Sequence, residues 1–117
     1  MLEDRARELG RLIGQSQEYQ TVKRANDALT SDDEAMQILA EMEKLRSRAQ
    51  ESIAKGQPPG PEIEKQLDDL LSTVQRNPSY QKVLVAQENF DKLMARANGW
   101  ILEGIRKGAA SPIITLG

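Results

Sequence analysis

Gly56-Gln57-Pro58-Pro59-Gly60-Pro61 is the stretch on which the reading of the fold turns. Proline lacks the backbone donor that a helix needs, and consecutive prolines force extended backbone. Any helix arriving from the N-terminal side ends here. Pro61 is well placed as the first residue of the next helix, where its missing N–H would have no partner in any case. A rigid interhelical connector accounts for the run more simply than a polyproline ligand does.

On the N-terminal side of this break, Ala35, Ile38, Met42, Leu45, Ala49 and Ser52 recur at alternating steps of three and four, the period of a helix with one apolar seam. The seam is too short for a free-standing coiled coil. Thr30-Ser31-Asp32-Asp33-Glu34 signals the start of that helix, with Thr30 or Ser31 as cap and the acidic run complementing the positive end of the dipole. Upstream, Leu2, Ala6, Leu9 and Ile13 form one stripe, and Leu12, Ser16, Tyr19, Val22, Ala25 and Leu29 continue an adjacent one. They predict a single long helix from about Leu2 to Leu29, tolerating Gly10 and Gly14 at about 1 kcal/mol each relative to Ala. The glycine pair, four residues apart, marks either local weakness or a close helix crossing.

Beyond the break, Ile63, Leu67, Leu70, Leu71 and Val74 form the face of a third helix, and Asn77-Pro78 then breaks or kinks the chain. A fourth helix is expected from about Ser79 to Lys107. Tyr80, Val83, Leu84, Ala86, Phe90, Leu93, Ala97, Trp100, Ile101 and Ile105 lie along its buried side. The expected fold is all-α, with about four helices, two of them long, in an elongated antiparallel bundle completed by oligomerisation. One domain spans residues 1–107, and residues 108–117, containing Pro112-Ile113-Ile114-Thr115-Leu116, form a flexible apolar tail.

Composition narrows the chemistry. The 117 residues contain neither cysteine nor histidine. Disulfides, thiolate nucleophiles and Cys-held zinc or iron–sulfur centres are excluded, and the usual general base near neutral pH is missing. We expect no catalytic residues, no metal and no cofactor. Asp32, Asp33 and Glu34 read as capping residues, and Glu62-Ile63-Glu64 and Asp68-Asp69 as a solvated face, since neither set offers an octahedral ligand geometry. With 16 Lys and Arg against 18 Asp and Glu, the net charge is −2, which argues against direct nucleic-acid binding. Met1-Leu2-Glu3-Asp4-Arg5 has no signal-peptide core, and no apolar run approaches the roughly 20 residues of a membrane span, so a cytoplasmic protein is expected.

A helix of about 28 residues is roughly 42 Å long, whereas a compact domain of this size has a radius of gyration near 13 Å. The two shorter helices cannot cover both long ones. Self-association in a closed two-fold arrangement, as a dimer or tetramer, is therefore expected. Candidate residues for that surface or for a partner are Leu9, Leu12, Ile13, Tyr19, Tyr80, Phe90, Trp100 and Ile101. Phe90 lies on the regular stripe and also reads as core, while Trp100, with little sequence left to cover it, suits an interface.

Glu8-Leu9-Gly10-Arg11-Leu12-Ile13 with Ser16-Gln17-Glu18-Tyr19 resembles the opening helix of the YlbF/YmcA proteins, small helical bacterial regulators. Asp33-Glu34-Ala35, Glu41-Met42-Glu43-Lys44-Leu45, Asn77-Pro78 with Tyr80, and Ala86-Gln87-Glu88-Asn89-Phe90 with Leu93 continue the likeness, as do Asn98 and Ile101, so that it covers about residues 4–106. The resemblance implies a non-enzymatic adaptor. It implies assembly with related small helical proteins and RNase Y-associated factors, in a complex that modulates RNase Y-dependent mRNA processing, competence, sporulation and biofilm formation. Complexes of that kind are associated with iron–sulfur clusters; a chain without cysteine cannot hold one, so either another subunit would supply the thiolates or this chain is a paralogue that shares the helical scaffold but not the complex. The alternative function is a structural or chaperone-like oligomer that shields apolar segments of client proteins.

Overall fold

The structure, a computed structural model, describes residues 1–110. Among these residues there are five helices and no strand: α1 (Leu2–Gly14), α2 (Gln17–Thr30), α3 (Asp33–Ala54), α4 (Pro61–Gln75) and α5 (Pro78–Ala110). The all-helical class is as expected. The helix count is corrected from about four to five, because the predicted first helix is two.

The division falls at Gln15-Ser16. Ser16 adopts extended backbone (φ −65°, ψ 153°), and its Oγ accepts from the Tyr19 N–H at 3.1 Å, which makes it the cap of α2. The same hydroxyl donates to the Ile13 carbonyl at 2.6 Å, and the Gln20 amide donates to the Gly14 carbonyl at 3.0 Å. Loose ends of both helices are thus satisfied within one turn of the break, and Gly14, a weak helix former, lies where α1 stops. Gly10 and Gly14 mark no close crossing in this chain: a Cβ added at either meets nothing within 4 Å.

Two caps also differ from the sequence expectation. Asp32, rather than Thr30 or Ser31, caps α3, its carboxylate accepting from the Ala35 N–H at 3.1 Å. Thr30 instead turns its hydroxyl back to the Asn26 and Asp27 carbonyls of its own helix. Asn77 caps α5 by accepting from the Tyr80 N–H at 3.0 Å, so Asn77-Pro78 separates two helices rather than bending one. At the proline break the outcome matches the reading. Gly56 has φ +79°, and the Gly56 and Gln57 N–H groups close back on the Ile53 and Ser52 carbonyls before Pro61 opens α4. Helix α5 runs three residues past Lys107, through Ala110; residues 111–117 of the expected tail lie outside the described residues.

The helices pack as two antiparallel pairs, α2 with α5 and α3 with α4. The α2–α5 core is Val22, Ala25 and Ala86, with Val83 and Phe90 packed against it and Tyr19 tilted on Phe90 at 5.6 Å between ring centres. Ala35, Met42 and Leu45 are the buried residues of α3, all three on the predicted seam. The pairs meet where the α2–α3 and α4–α5 joints lie side by side. There the Asn77 side-chain amide donates to the Asp32 carboxylate at 3.1 Å across 45 residues of sequence, and Ala35 and Val74, three positions from those caps, are fully buried. The result is elongated, 66 × 37 × 20 Å with a radius of gyration of 21.5 Å, against about 13 Å for a compact domain of this length.

Candidate interaction surface

Two stretches of apolar surface find little cover in this chain. Helix α1 has no buried residue. Its stripe of Leu2, Ala6, Leu9 and Ile13, flanked by Leu12, is intact, yet Leu2 is 85% and Leu12 54% exposed, with Leu9 and Ile13 half-buried. The second stretch is the C-terminal third of α5. Glu18 at the start of α2 pairs with Arg96 at 3.4 Å, which places the end of α2 one step before the buried Ala97. Beyond that level the apolar series continues as Trp100, Ile101, Leu102 and Ile105, and every residue from 98 to 107 is exposed, Trp100 and Ile105 each at 59%.

The structure divides the candidate residues into groups rather than joining them in one patch. Leu9, Leu12 and Ile13 lie on α1, and Trp100 and Ile101 on the overhang of α5. Tyr19 and Phe90 pack on each other within the α2–α5 pair, and Tyr80 is half-buried in the first turn of α5. The sequence reading placed Leu84, Trp100, Ile101 and Ile105 on a buried side; within this chain all four are exposed, because no neighbouring helix reaches that side. It passed over Val85, Met94 and Leu102, which are exposed as well. The available signal was that α5 is apolar on more than one face, the pattern of a helix with more than one neighbour.

Asp32 is the one titratable group among the described residues with a resolved displacement. Its carboxyl is held below the usual value of 3.8, mainly by the Ala35 N–H and next by the Asn77 amide. Both partners are structural. Among the described residues, no group of three or more acidic side chains is placed to hold a metal ion. Among the described residues, no helix is long and apolar enough to cross a membrane. Open grooves do line both helix pairs, one between α3 and α4 at Leu45, Arg48, Gln66 and Leu70, and one between α2 and α5 at Ala25, Ala28, Val85 and Ala86.

Residues 2–106 match the family described as control of competence regulator ComK, YlbF/YmcA. The chain belongs to the YlbF/YmcA family. Curated relatives of this YlbF/YmcA chain carry the name UPF0342 protein. One from Desulfitobacterium hafniense is 29% identical over 102 residues, covering 87% of this chain and 78% of the relative. Another, from Leuconostoc mesenteroides, is 23% identical over 95 residues and covers 81% of each. A third, from Streptococcus mutans, is 29% identical over 85 residues, or 73% of this chain and 75% of the relative. The family's description is one of regulatory control.

Proposed function

We propose that this YlbF/YmcA-family chain is a non-enzymatic regulatory adaptor that works by binding other proteins through its uncovered helix faces. Its partners are a second copy of itself and related small helical proteins or RNase Y-associated factors. The setting is RNase Y-dependent mRNA processing, which resemblance to the family implies. The observation that carries this reading is the uncovered apolar surface of α1 and of residues 98–110 in α5. A fully buried Leu or Ile contributes about 1.5–3 kcal/mol over an exposed one. Several such side chains on amphipathic helices are a strong drive toward docking with another helix, the helix-in-groove mode of recognition. A net charge of −2 supports protein partners over nucleic acid.

The test is affinity purification of the tagged protein at native expression, with mass spectrometry of what co-elutes. Recovery of a related small helical protein together with RNase Y-associated factors is the expected result. Recovery of neither would overturn the adaptor reading. The same exposed faces suit a chaperone-like role, which predicts that the pure protein suppresses aggregation of an unrelated unfolding protein; a specific adaptor does not.

A further inference from the structure

The α2–α5 pair carries a groove beside its own core. On α5, Pro78, Lys82, Val85, Asn89, Lys92 and Arg96 recur at alternating steps of four and three, and on α2 Thr21, Arg24 and Ala28 follow the same spacing. The two stripes line adjoining hollows of about 590 and 400 Å³ that share Thr21, Ala86 and Asn89. The small side chains of Ala25 and Ala86 are buried at its base, while Val85 beside them is 57% exposed. We infer that this groove binds an amphipathic helix of a partner protein, one with apolar side chains along its seam and acidic residues flanking them.

Charge selects the occupant. Arg24, Lys82, Lys92 and Arg96 line the groove against a single carboxylate, Glu18. The whole chain carries −2, so this positive excess is local. Lys92 is paired with Glu88 and Arg96 with Glu18. Among the described residues Arg24 and Lys82 make no ion pair, and they stand one on each helix across the wider hollow. A carboxylate on either flank of a docked helix meets one of them, and charges placed beside an apolar seam in this way set partner choice.

Shape favours a helix over a nucleic acid. Steps of three and four on both walls are the spacing between which the knobs of a third helix seat. Among the described residues no aromatic side chain lines either hollow, so a base has nothing to stack on. The base of the groove at Ala25 and Ala86 is apolar, whereas phosphate and sugar contacts call for hydrogen-bond donors. The stripe from Pro78 to Arg96 is about 27 Å long and matches a partner helix of about 18 residues.

The inference rests on the reading that this chain works by binding proteins, but it concerns a surface apart from α1 and residues 98–110. Its test uses pure full-length protein and synthetic ligands, so an empty groove and a failed co-purification are told apart. The probe is a fluorescein-labelled helical peptide of about 18 residues, with leucine at steps of three and four and glutamate beside each leucine. Fluorescence anisotropy should show saturable binding that weakens as salt is raised. Replacing the peptide's glutamates with glutamine should weaken it at least about tenfold. Arg24→Glu combined with Lys82→Glu should weaken the acidic peptide at least about tenfold and strengthen a lysine version of it. Both side chains are exposed, so helicity by circular dichroism should not change. No saturation by the acidic peptide at about 1 mM overturns the inference, as does equal binding of the glutamine peptide. Binding unaffected by the double reversal would place the peptide on another face and overturn it equally. Tighter binding of single-stranded oligouridine would assign the groove to RNA instead. Loss of self-association in light scattering on the same double reversal would assign it to a second copy; either result overturns the inference.

Discussion

Asp32 and Asn77 each perform two tasks. Asp32 caps α3 through the Ala35 N–H and accepts from the Asn77 amide; Asn77 caps α5 through the Tyr80 N–H while donating to Asp32. The ionised carboxylate is the form these donors favour, which is why its pKa lies below the ordinary 3.8. A group whose folded pKa is depressed contributes stability in full above its unfolded value and loses it as pH falls through the folded value. Asp32→Asn should therefore lower the urea midpoint by a constant amount above about pH 5, and the gap from wild type should close below about pH 4. A gap that persists undiminished in acid would mean the charge is not what the site uses. Burial separates other residues just as sharply. Val74 is fully buried, so Val74→Ala should cost about 2 kcal/mol in equilibrium unfolding, from lost transfer energy and a residual cavity. Ile105→Ala, at an exposed position, should change the stability of a dilute monomer by less than about 0.5 kcal/mol.

Among the helices, the joint between α1 and α2 is the informative one. The apolar stripe runs through it without a phase change, and periodicity therefore predicts one helix. The backbone breaks because a serine three residues before an accepted N–H satisfies a helix start better than a continued turn after Gly14 does. Ser16→Ala should cost about 1 kcal/mol, the ordinary value of a lost cap, read as a lower urea midpoint. The proline segment behaves oppositely: no tertiary contact can restore the missing donors of Pro58, Pro59 and Pro61, and the break falls where the sequence puts it. Of the candidate surface, the apolar α1 stripe was legible from spacing alone, whereas spacing placed Trp100 on a buried side and it is exposed. The packing of Tyr19 on Phe90 was not legible, since their contact depends on the register of α2 against α5.

Taken whole, the molecule is two helix pairs joined at the Asp32–Asn77 contact, with α1 and the end of α5 extending past the covered region. Ion pairs contribute little to holding it. Those on α1, such as Arg7–Glu3 and Arg11–Glu8, are exposed pairs within one helix, each worth a few tenths of a kcal/mol. If a second copy covers the protruding helices, folding and association are linked, and the thermal midpoint should rise with protein concentration. A midpoint unchanged across a hundredfold dilution series would show instead that the pairs stand alone.

Sequence by itself determined the helical class, the proline break, the Pro61 start of α4 and the absence of cysteine or histidine chemistry. These follow from local properties: period, a missing backbone donor, and residue types that are simply not there. Which residue caps each helix was decided only in three dimensions. Thr30, Ser31 and Asp32 are all competent caps by type, and the approach of Asn77 from 45 residues away favours Asp32. Tertiary structure alone also decided that the apolar faces of α1 and residues 98–110 stay uncovered. An apolar stripe reads the same whether or not a neighbour lies on it, and its cover depends on how far the other helices reach.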